Sequence, residues 1–120
     1  MSLTFKQISK INYKRALRWH KDSLNDWSIS DWSTAMAGEA GEICNAVKKL
    51  RRLESEFTSI NESDRQINSK KEAIEKIGAE IADTFLYLNL LAIRCGLDFE
   101  QEIIKKFNST SDKYGFTEKL

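Results

Sequence analysis

The chain has no proline and only five glycines in 120 residues, so few positions break regular backbone structure. Its apolar residues recur at steps of three and four residues instead of alternating, which is the spacing of one face of an α-helix. The sequence therefore predicts an all-α protein. The length fits a single domain, residues 1–120, with one modest core.

The apolar spacing predicts four helices, at about 4–24, 33–53, 72–95 and from 99 onward. We expect Ser33 or Asp31 to cap the second helix, Gly96 to stop the third and Asp98 to cap the fourth. The inward stripes of the first two helices are Phe5, Ile8, Ile11, Ala16 and Trp19, then Met36, Ala40, Ile43, Val47 and Leu50. Apolar residues surround the axis of the third helix, which predicts a buried central helix. The polar segment 54–71 is expected to be a loop or a loosely helical excursion within the domain.

Nineteen basic and eighteen acidic residues give a formal net charge of +1, which offers no case for a nucleic-acid or membrane partner. The N-terminal residues lack a basic stretch leading into an apolar run, so we expect a cytoplasmic protein. Cys44 and Cys95 lie in apolar helical patterns and are predicted to be reduced core thiols.

Two pairs of acidic residues have the same spacing: Glu80 with Asp83 stands among apolar neighbours, and Glu39, which borders the apolar stripe of its helix, pairs with Glu42. A buried carboxylate loses several kcal/mol of hydration and is normally paired, protonated or bound to a cation. Because each pair spans three residues, its members project about 60° apart on one helix. If the two helices pack antiparallel, four carboxylates converge, and oxygen ligands without histidine favour Mg²⁺, or Mn²⁺, over zinc.

Two other interpretations of these acids compete with a magnesium site. They can be ordinary solvated helix surface, the usual place of Glu and Asp in a chain with 31% charged residues. A ferritin-like di-iron site is a second alternative, but it expects Glu-x-x-His on two helices. His20, the only histidine, has no such glutamate.

These motifs carry a resemblance to a known family. Glu-x-x-Glu on one helix and Glu-x-x-Asp on the next resemble the MazG-like all-alpha nucleoside triphosphate pyrophosphatases, over residues 13–116. The matching segments in order are Trp27 with the turn after it, Gly38-Glu-Ala-Gly-Glu-Ile, Glu80-Ile-Ala-Asp-Thr-Phe-Leu-Tyr-Leu, Gly96-Leu-Asp and Lys106-Phe-Asn. The similarity is greatest to the small branch that includes dCTP pyrophosphatase, although the spacing between the two acidic motifs is longer here than in the shortest members.

The resemblance implies a magnesium-dependent hydrolase that cleaves a nucleoside triphosphate, in particular a deoxynucleotide, between its α and β phosphates. Glu39, Glu42, Glu80 and Asp83 would then hold the metal, and Glu39 or Glu42 could instead be the base, since both tasks need an ionised carboxylate. The nucleotide-contacting residues that the resemblance implies are Tyr87, Trp27, Trp32, His20, Lys106 and Asn108, with Lys113 as a substitute for an arginine that many members carry. A packing or surface role stays open for each of them.

The expected fold is an antiparallel four-helix bundle core completed by oligomerisation, as a homodimer or homotetramer. The resemblance implies that the subunits share the nucleotide pocket. A non-catalytic helical nucleotide-binding or regulatory module is the alternative function. Phosphoribosyl-ATP pyrophosphatase belongs to the same superfamily and stays open as a third possibility. The base and sugar preferences do not follow from the sequence.

Overall fold

A computed structural model of the chain describes residues 2–56 and 64–120. Within these residues there are four α-helices and no strand, so the all-α prediction is confirmed. The helices are α1 (Phe5–Ala16), α2 (Ile29–Glu56), α3 (Asp64–Arg94) and α4 (Phe99–Tyr114), and a 3₁₀ turn, Leu24–Asp26, lies between α1 and α2. Packing divides the chain into a terminal unit, Met1–Trp32 with Leu88–Leu120, and a central unit, Ser33–Tyr87. The single domain and the four-helix bundle arrangement stay predictions.

Helix α1 begins at a capping box and ends earlier than its sequence indicates. The Thr4 hydroxyl accepts a hydrogen bond from the Gln7 backbone N–H at 3.2 Å, and the Gln7 side chain accepts one from the Thr4 N–H at 2.8 Å. The helix ends at Ala16, not near residue 24 as predicted. Lys21 and Asp22 follow with φ of 50° and 67°, a left-handed conformation that non-glycine residues rarely adopt. Without a glycine at this turn, the sequence gives no signal for it.

The start of α2 is fixed by Ser28 and Asp31. The Ser28 hydroxyl accepts from the Asp31 N–H at 3.0 Å, and the Asp31 carboxylate accepts from the Ser28 N–H at 2.9 Å. Two backbone donors at the helix terminus are thereby satisfied reciprocally. The predicted cap at Ser33 or Asp31 is therefore wrong by a few residues, although Asp31 is part of the capping pair.

The polar segment 54–71, predicted to be a loop or a loosely helical excursion, is helical in its described parts. Residues 54–56 belong to α2 and residues 64–71 belong to α3, whereas 57–63 lie outside the described residues. Polarity alone does not stop a helix, and the 54–71 segment contains neither glycine nor proline. The expected helix ends near 53 and 72 are therefore wrong.

The turn between α3 and α4 matches its prediction. Gly96 has φ of 74°, the left-handed conformation that ends many helices, and its position as the stop of α3 is confirmed. The Asp98 carboxylate accepts from the Gln101 N–H at 3.2 Å and caps α4. Gly115, with φ of 71°, ends α4 in the same way.

In the terminal unit, α1 packs through a stripe different from the predicted one. The Phe5 and Phe99 rings meet edge to face with centroids 5.4 Å apart, and the Ser9 hydroxyl donates to Oδ1 of the fully buried Asn89 at 2.8 Å. Ile11 and Trp19, which were predicted to face inward, are exposed. The polar residues Asn12 on α1 and Asn89 on α3 are buried instead. The inward face of α1 therefore differs from the face predicted from its apolar residues.

Several apolar residues predicted to be interior are exposed in the single chain. In the central unit they are Val47, Ile74 and Ile81, so α3 is not buried on all sides. Cys44 and Cys95 are free, but both are exposed, so their prediction as core residues is wrong. None of the helices in the described part of the chain is both long enough and apolar enough to cross a membrane.

Candidate functional site

Three of the four predicted acidic residues come together in the central unit. One carboxylate oxygen each from Glu39 on α2, and from Glu80 and Asp83 on α3, lie within 4.8 Å of one another. We call these three residues the acidic cluster. Of the predicted ligands, Glu42 alone lies outside this set, although its negative charge acts on both Glu39 and Lys76.

The meeting of these residues requires α2 and α3 to run antiparallel within the central unit. Glu39 lies 17 residues before the end of α2, and Glu80 lies 16 residues after the start of α3. Each interval is about 25 Å along a helix axis. Parallel helices would separate the two helix ends by about 50 Å, whereas the chain between residues 56 and 64 spans at most about 28 Å. The helix hairpin that the sequence required for convergence of the acids is therefore present in this unit.

Glu80 is the buried member of the acidic cluster, with 6% of its surface exposed. Its Oε1 accepts from the Lys76 ammonium at 2.6 Å, one helical turn earlier on α3. This pair, with the negative charges of Glu42 and Asp83, raises the pKa of Lys76. Lys76 thus supplies an internal positive partner for a carboxylate that burial would otherwise disfavour.

Glu39 shows the electrostatic cost of the arrangement. Burial raises the pKa of its carboxyl, and the charges of Asp83, Glu80 and Glu42 raise it further. Like charges at these separations favour protonation unless a cation lies among them. The cluster is therefore a place where a cation would relieve repulsion.

The donor set suits a small divalent ion. All three groups offer carboxylate oxygens, which are the ligands of Mg²⁺ and Mn²⁺. Ligand oxygens in an octahedron with bonds of 2.1 Å lie about 3.0 to 4.2 Å apart. The oxygens of the cluster lie within 4.8 Å of one another, so shifts of up to about 2 Å at the carboxylate ends, made by side-chain rotation, would bring them to that geometry.

The predicted aromatic and histidine contacts lie together in the terminal unit. His20 packs against Trp27 and Trp32 with ring centroids 4.9 and 4.7 Å away, and the two indoles are 4.6 Å apart. Trp32 is fully buried and its Nε1–H donates to the Leu24 carbonyl at 2.9 Å, which is the packing role left open for it. Trp27 is half-buried and is the indole of this group with accessible surface.

The His20 ring is held in one orientation. Its Nδ1 lies 3.0 Å from both carboxylate oxygens of Asp26, so the Nδ1–H donates to Asp26. The other ring nitrogen, Nε2, takes no part in this contact. The Arg94 guanidinium donates to the Trp27 carbonyl at 3.0 Å and fixes the turn that carries these residues.

The remaining predicted contacts differ in their availability. Tyr87 is half-buried on α3 in the central unit. Lys106 is exposed on α4, where it lines a groove of about 690 Å³ in the terminal unit. The Asn108 side chain is engaged structurally, because it donates to the Leu120 carbonyl at 3.2 Å and accepts from the Leu120 N–H at 2.8 Å. Lys113 lies with its ammonium 5.5 Å from the centre of the Tyr114 ring.

Sequence reasoning missed two residues that shape these sites. Lys76 was recognisable, since it precedes Glu80 by four residues on a predicted helix, the spacing of a helical ion pair. Asp26 gave no such signal, because its contact with His20 depends on a turn with two left-handed residues.

Comparison of the chain with family models, with curated proteins and with solved structures found no match.

Proposed function

We propose that this chain is a magnesium-dependent nucleoside triphosphate pyrophosphohydrolase. The observation that carries the proposal is the acidic cluster: three carboxylates from two antiparallel helices, with oxygens within 4.8 Å of one another. The resemblance of these motifs to the MazG-like pyrophosphatases supplies the reaction class. Exposed acids such as Asp83 are common without a metal, but Glu80 is buried and Glu39 half-buried, which distinguishes these two from solvated surface.

In the proposed reaction, water adds to the α-phosphorus and the α–β phosphoanhydride bond breaks, giving a nucleoside monophosphate and pyrophosphate. Glu39, Glu80 and Asp83 would hold Mg²⁺, which supplies charge neutralisation of phosphate oxygens and a more acidic water when bound. Glu42 lies outside the set of three and is our choice for the base that takes the proton of the attacking water. The resemblance makes Tyr87, which is half-buried on α3 in the same unit, our choice for the nucleotide contact.

Self-association is part of the proposal. Val47, Ile74 and Ile81 expose apolar side chains on the central unit, and a second copy of the chain would cover them. Ile74 and Ile81 are seven residues apart, which places them on one face of α3 two turns from each other. A homodimer through this face is the simplest assembly.

The experiment is release of pyrophosphate from a panel of canonical and modified deoxynucleoside triphosphates with Mg²⁺. Glu80→Gln and Asp83→Asn should abolish release, and Glu75→Gln, an exposed acid on the same helix, should leave it unchanged. Release of orthophosphate instead of pyrophosphate would place the cleavage at a different bond. Absence of release from folded, magnesium-bound protein would exclude the hydrolase.

A nucleotide-binding module without hydrolysis is the second candidate, and it applies if Glu42, which lies outside the set of three, does not act as the base. A four-acid site with one acid outside the set resembles an incomplete hydrolase. Calorimetric binding of a non-hydrolysable triphosphate, combined with no pyrophosphate release, would select this candidate. Binding together with release would exclude it.

A further inference from the structure

Helix α1 and the turn after it carry an unbalanced positive charge. Residues 1–21 contain six of the nineteen basic residues and no acidic residue. The rest of the chain has thirteen basic and eighteen acidic residues. The net charge of +1, which argued against a nucleic-acid partner, is thus the average of a basic segment and an acidic remainder.

These basic residues are exposed in the terminal unit. Lys6, Lys10 and Lys14 follow one another at four-residue spacing, so they form a row with steps of about 6 Å along α1. Arg15, Arg18 and Lys21 are exposed as well. A row of cations at regular steps is suited to a regularly spaced polyanion.

A groove lies at the C-terminal end of this row. It has a volume of about 720 Å³ and is lined by Ile11, Lys14, Arg15, Leu17, Arg18 and Asp22, so three cations face a single acid. Trp19, next in the chain to Arg18, exposes 71% of its surface. The Arg15 guanidinium lies 5.6 Å from the centre of the Trp19 ring. The indole is therefore held beside the groove by a cation–π contact while most of its surface stays accessible.

An anionic bilayer fits this surface less well than a strand of nucleic acid does. A helix lying in a membrane interface buries a broad apolar face. The apolar face of α1 is already used, because Phe5 packs on Phe99 and Ala16 is buried. Ile11, which is exposed, shares its groove with the cations Lys14, Arg15 and Arg18. The exposed side of α1 and the turn after it thus offer cations, with Ile11, Tyr13 and Trp19 as separate exposed side chains rather than a continuous apolar stripe.

We propose that this basic face, consisting of Lys10, Lys14, Arg15, Arg18 and Trp19, binds single-stranded nucleic acid. Proteins that hold single strands without sequence preference combine a positive groove along the phosphates with aromatic rings on which bases stack. Lys10, Lys14 and Arg18 contact phosphates, and an unpaired base stacks on Trp19. The proposal uses other residues than the acidic cluster and does not depend on the hydrolase.

The test is fluorescence anisotropy of a labelled oligothymidylate of about twelve nucleotides, titrated with the full chain at rising salt. Logarithmic affinity should fall linearly with logarithmic salt concentration, by about 0.7 for each phosphate contacted. The triple variant Lys10→Gln, Lys14→Gln, Arg18→Gln should lower that slope by about 2. Trp19→Ala should weaken binding by about fivefold or more.

The matched control removes three exposed basic residues of α2, with Lys48→Gln, Lys49→Gln and Arg51→Gln. It changes the net charge by the same amount and should keep the affinity and slope of the wild type. Circular dichroism shows that each variant is folded. Oligouridylate in a parallel titration decides whether RNA or DNA binds more tightly, and binding of either supports the proposal.

Three results would overturn the proposal. The first is no binding of the wild type to either oligonucleotide at about 50 mM salt. The second is equal weakening by the α2 control, which would make the attraction a matter of net charge. The third is binding of Trp19→Ala as tight as that of the wild type, which would remove the reason for choosing a single strand. Sedimentation with phosphatidylserine vesicles, in the absence of oligonucleotide binding, would assign the surface to membranes.

Discussion

Replacing Glu80 with glutamine separates a functional acidic cluster from a structural one, because the two interpretations predict opposite changes in stability. The substitution removes one of three negative charges whose oxygens lie within 4.8 Å, and it keeps the side-chain size. Two unit charges at 4.8 Å repel by about 0.9 kcal/mol in water and about 3.5 kcal/mol at an effective dielectric constant of 20. Glu80 is thus repelled by Glu39 and by Asp83, each by an energy in this range.

Lys76 offsets part of the repulsion, since its ammonium lies 2.6 Å from the Glu80 carboxylate. After the substitution this ammonium can return to water, because 62% of the lysine side chain is exposed. The remaining effect is relief of the uncompensated repulsion. We therefore expect the free energy of unfolding of metal-free Glu80→Gln to exceed that of the wild type by up to about 1 kcal/mol. For a chain of this size, this corresponds to a Tm higher by about 4 °C.

Magnesium should reverse the order of the two proteins. A ligand at a hundred times its Kd stabilises the folded state by about 2.7 kcal/mol, or about 10 °C in Tm. The wild type should gain this amount, whereas Glu80→Gln has lost a charged ligand and should gain far less. The wild type would then be the more stable protein at saturating Mg²⁺ and the less stable one in a chelator.

Thermal unfolding followed by circular dichroism, in chelator and at saturating Mg²⁺, measures both effects. Glu75→Gln changes the charge by the same amount on the same helix and should shift with Mg²⁺ as the wild type does. The reasoning is refuted by two results together. In chelator, Glu80→Gln is less stable than the wild type by about 1 kcal/mol or more, seen as a Tm lower by about 4 °C, and Mg²⁺ changes the Tm of neither protein. Glu80 would then be the structural partner of Lys76.

Three further predictions concern other parts of the chain. Burial and neighbouring carboxylates raise the pKa of Glu39 above its ordinary value of 4.5, so this carboxyl binds its proton more tightly in the folded protein than in the unfolded chain. Metal-free protein should therefore lose stability as pH rises above that value, and Glu39→Gln should remove this loss in urea titrations between about pH 4 and 7. Ser28→Ala should lower the free energy of unfolding by about 1 kcal/mol and raise the pKa of Asp31, measured by denaturation and NMR, whereas Ser33→Ala should not. Ile74→Glu should convert an oligomer to a monomer by light scattering without lowering the helix content.

The features that the sequence predicted correctly are those governed by local rules. Gly96 and Asp98 have one favoured role each at a helix terminus, and both occupy it. Glu80 and Asp83 are three residues apart on a helix, which fixes their relative direction wherever that helix packs. Convergence with Glu39 needed only an antiparallel neighbour. The metal-competent set therefore follows from helical geometry.

The wrong predictions concern helix ends and side-chain burial that depend on long-range packing. Residues 64–71 are polar but contain no helix breaker, so their helical state depends on the rest of α3 rather than on their own composition. Trp27 and Trp32 lie five residues apart, and only the three-dimensional turn decides that Trp32 is buried and Trp27 is not. The exposed Ile74 and Ile81 show that a helix with apolar residues on every side is not necessarily buried on every side.

The ion pair between Lys76 and Glu80 bears on how tightly the acidic cluster would bind a metal. The four-residue spacing that brings Lys76 to Glu80 gives the chain a cation of its own at the carboxylate that is most buried. An ion held by Glu39, Glu80 and Asp83 would compete with this ammonium for Glu80, so its affinity would be reduced by the strength of the ion pair. A divalent ion would have the advantage, because it could contact all three carboxylates at once, whereas the ammonium of Lys76 pairs with Glu80. In the proposed site, Lys76 would thus offset the charge of Glu80 while no metal is bound.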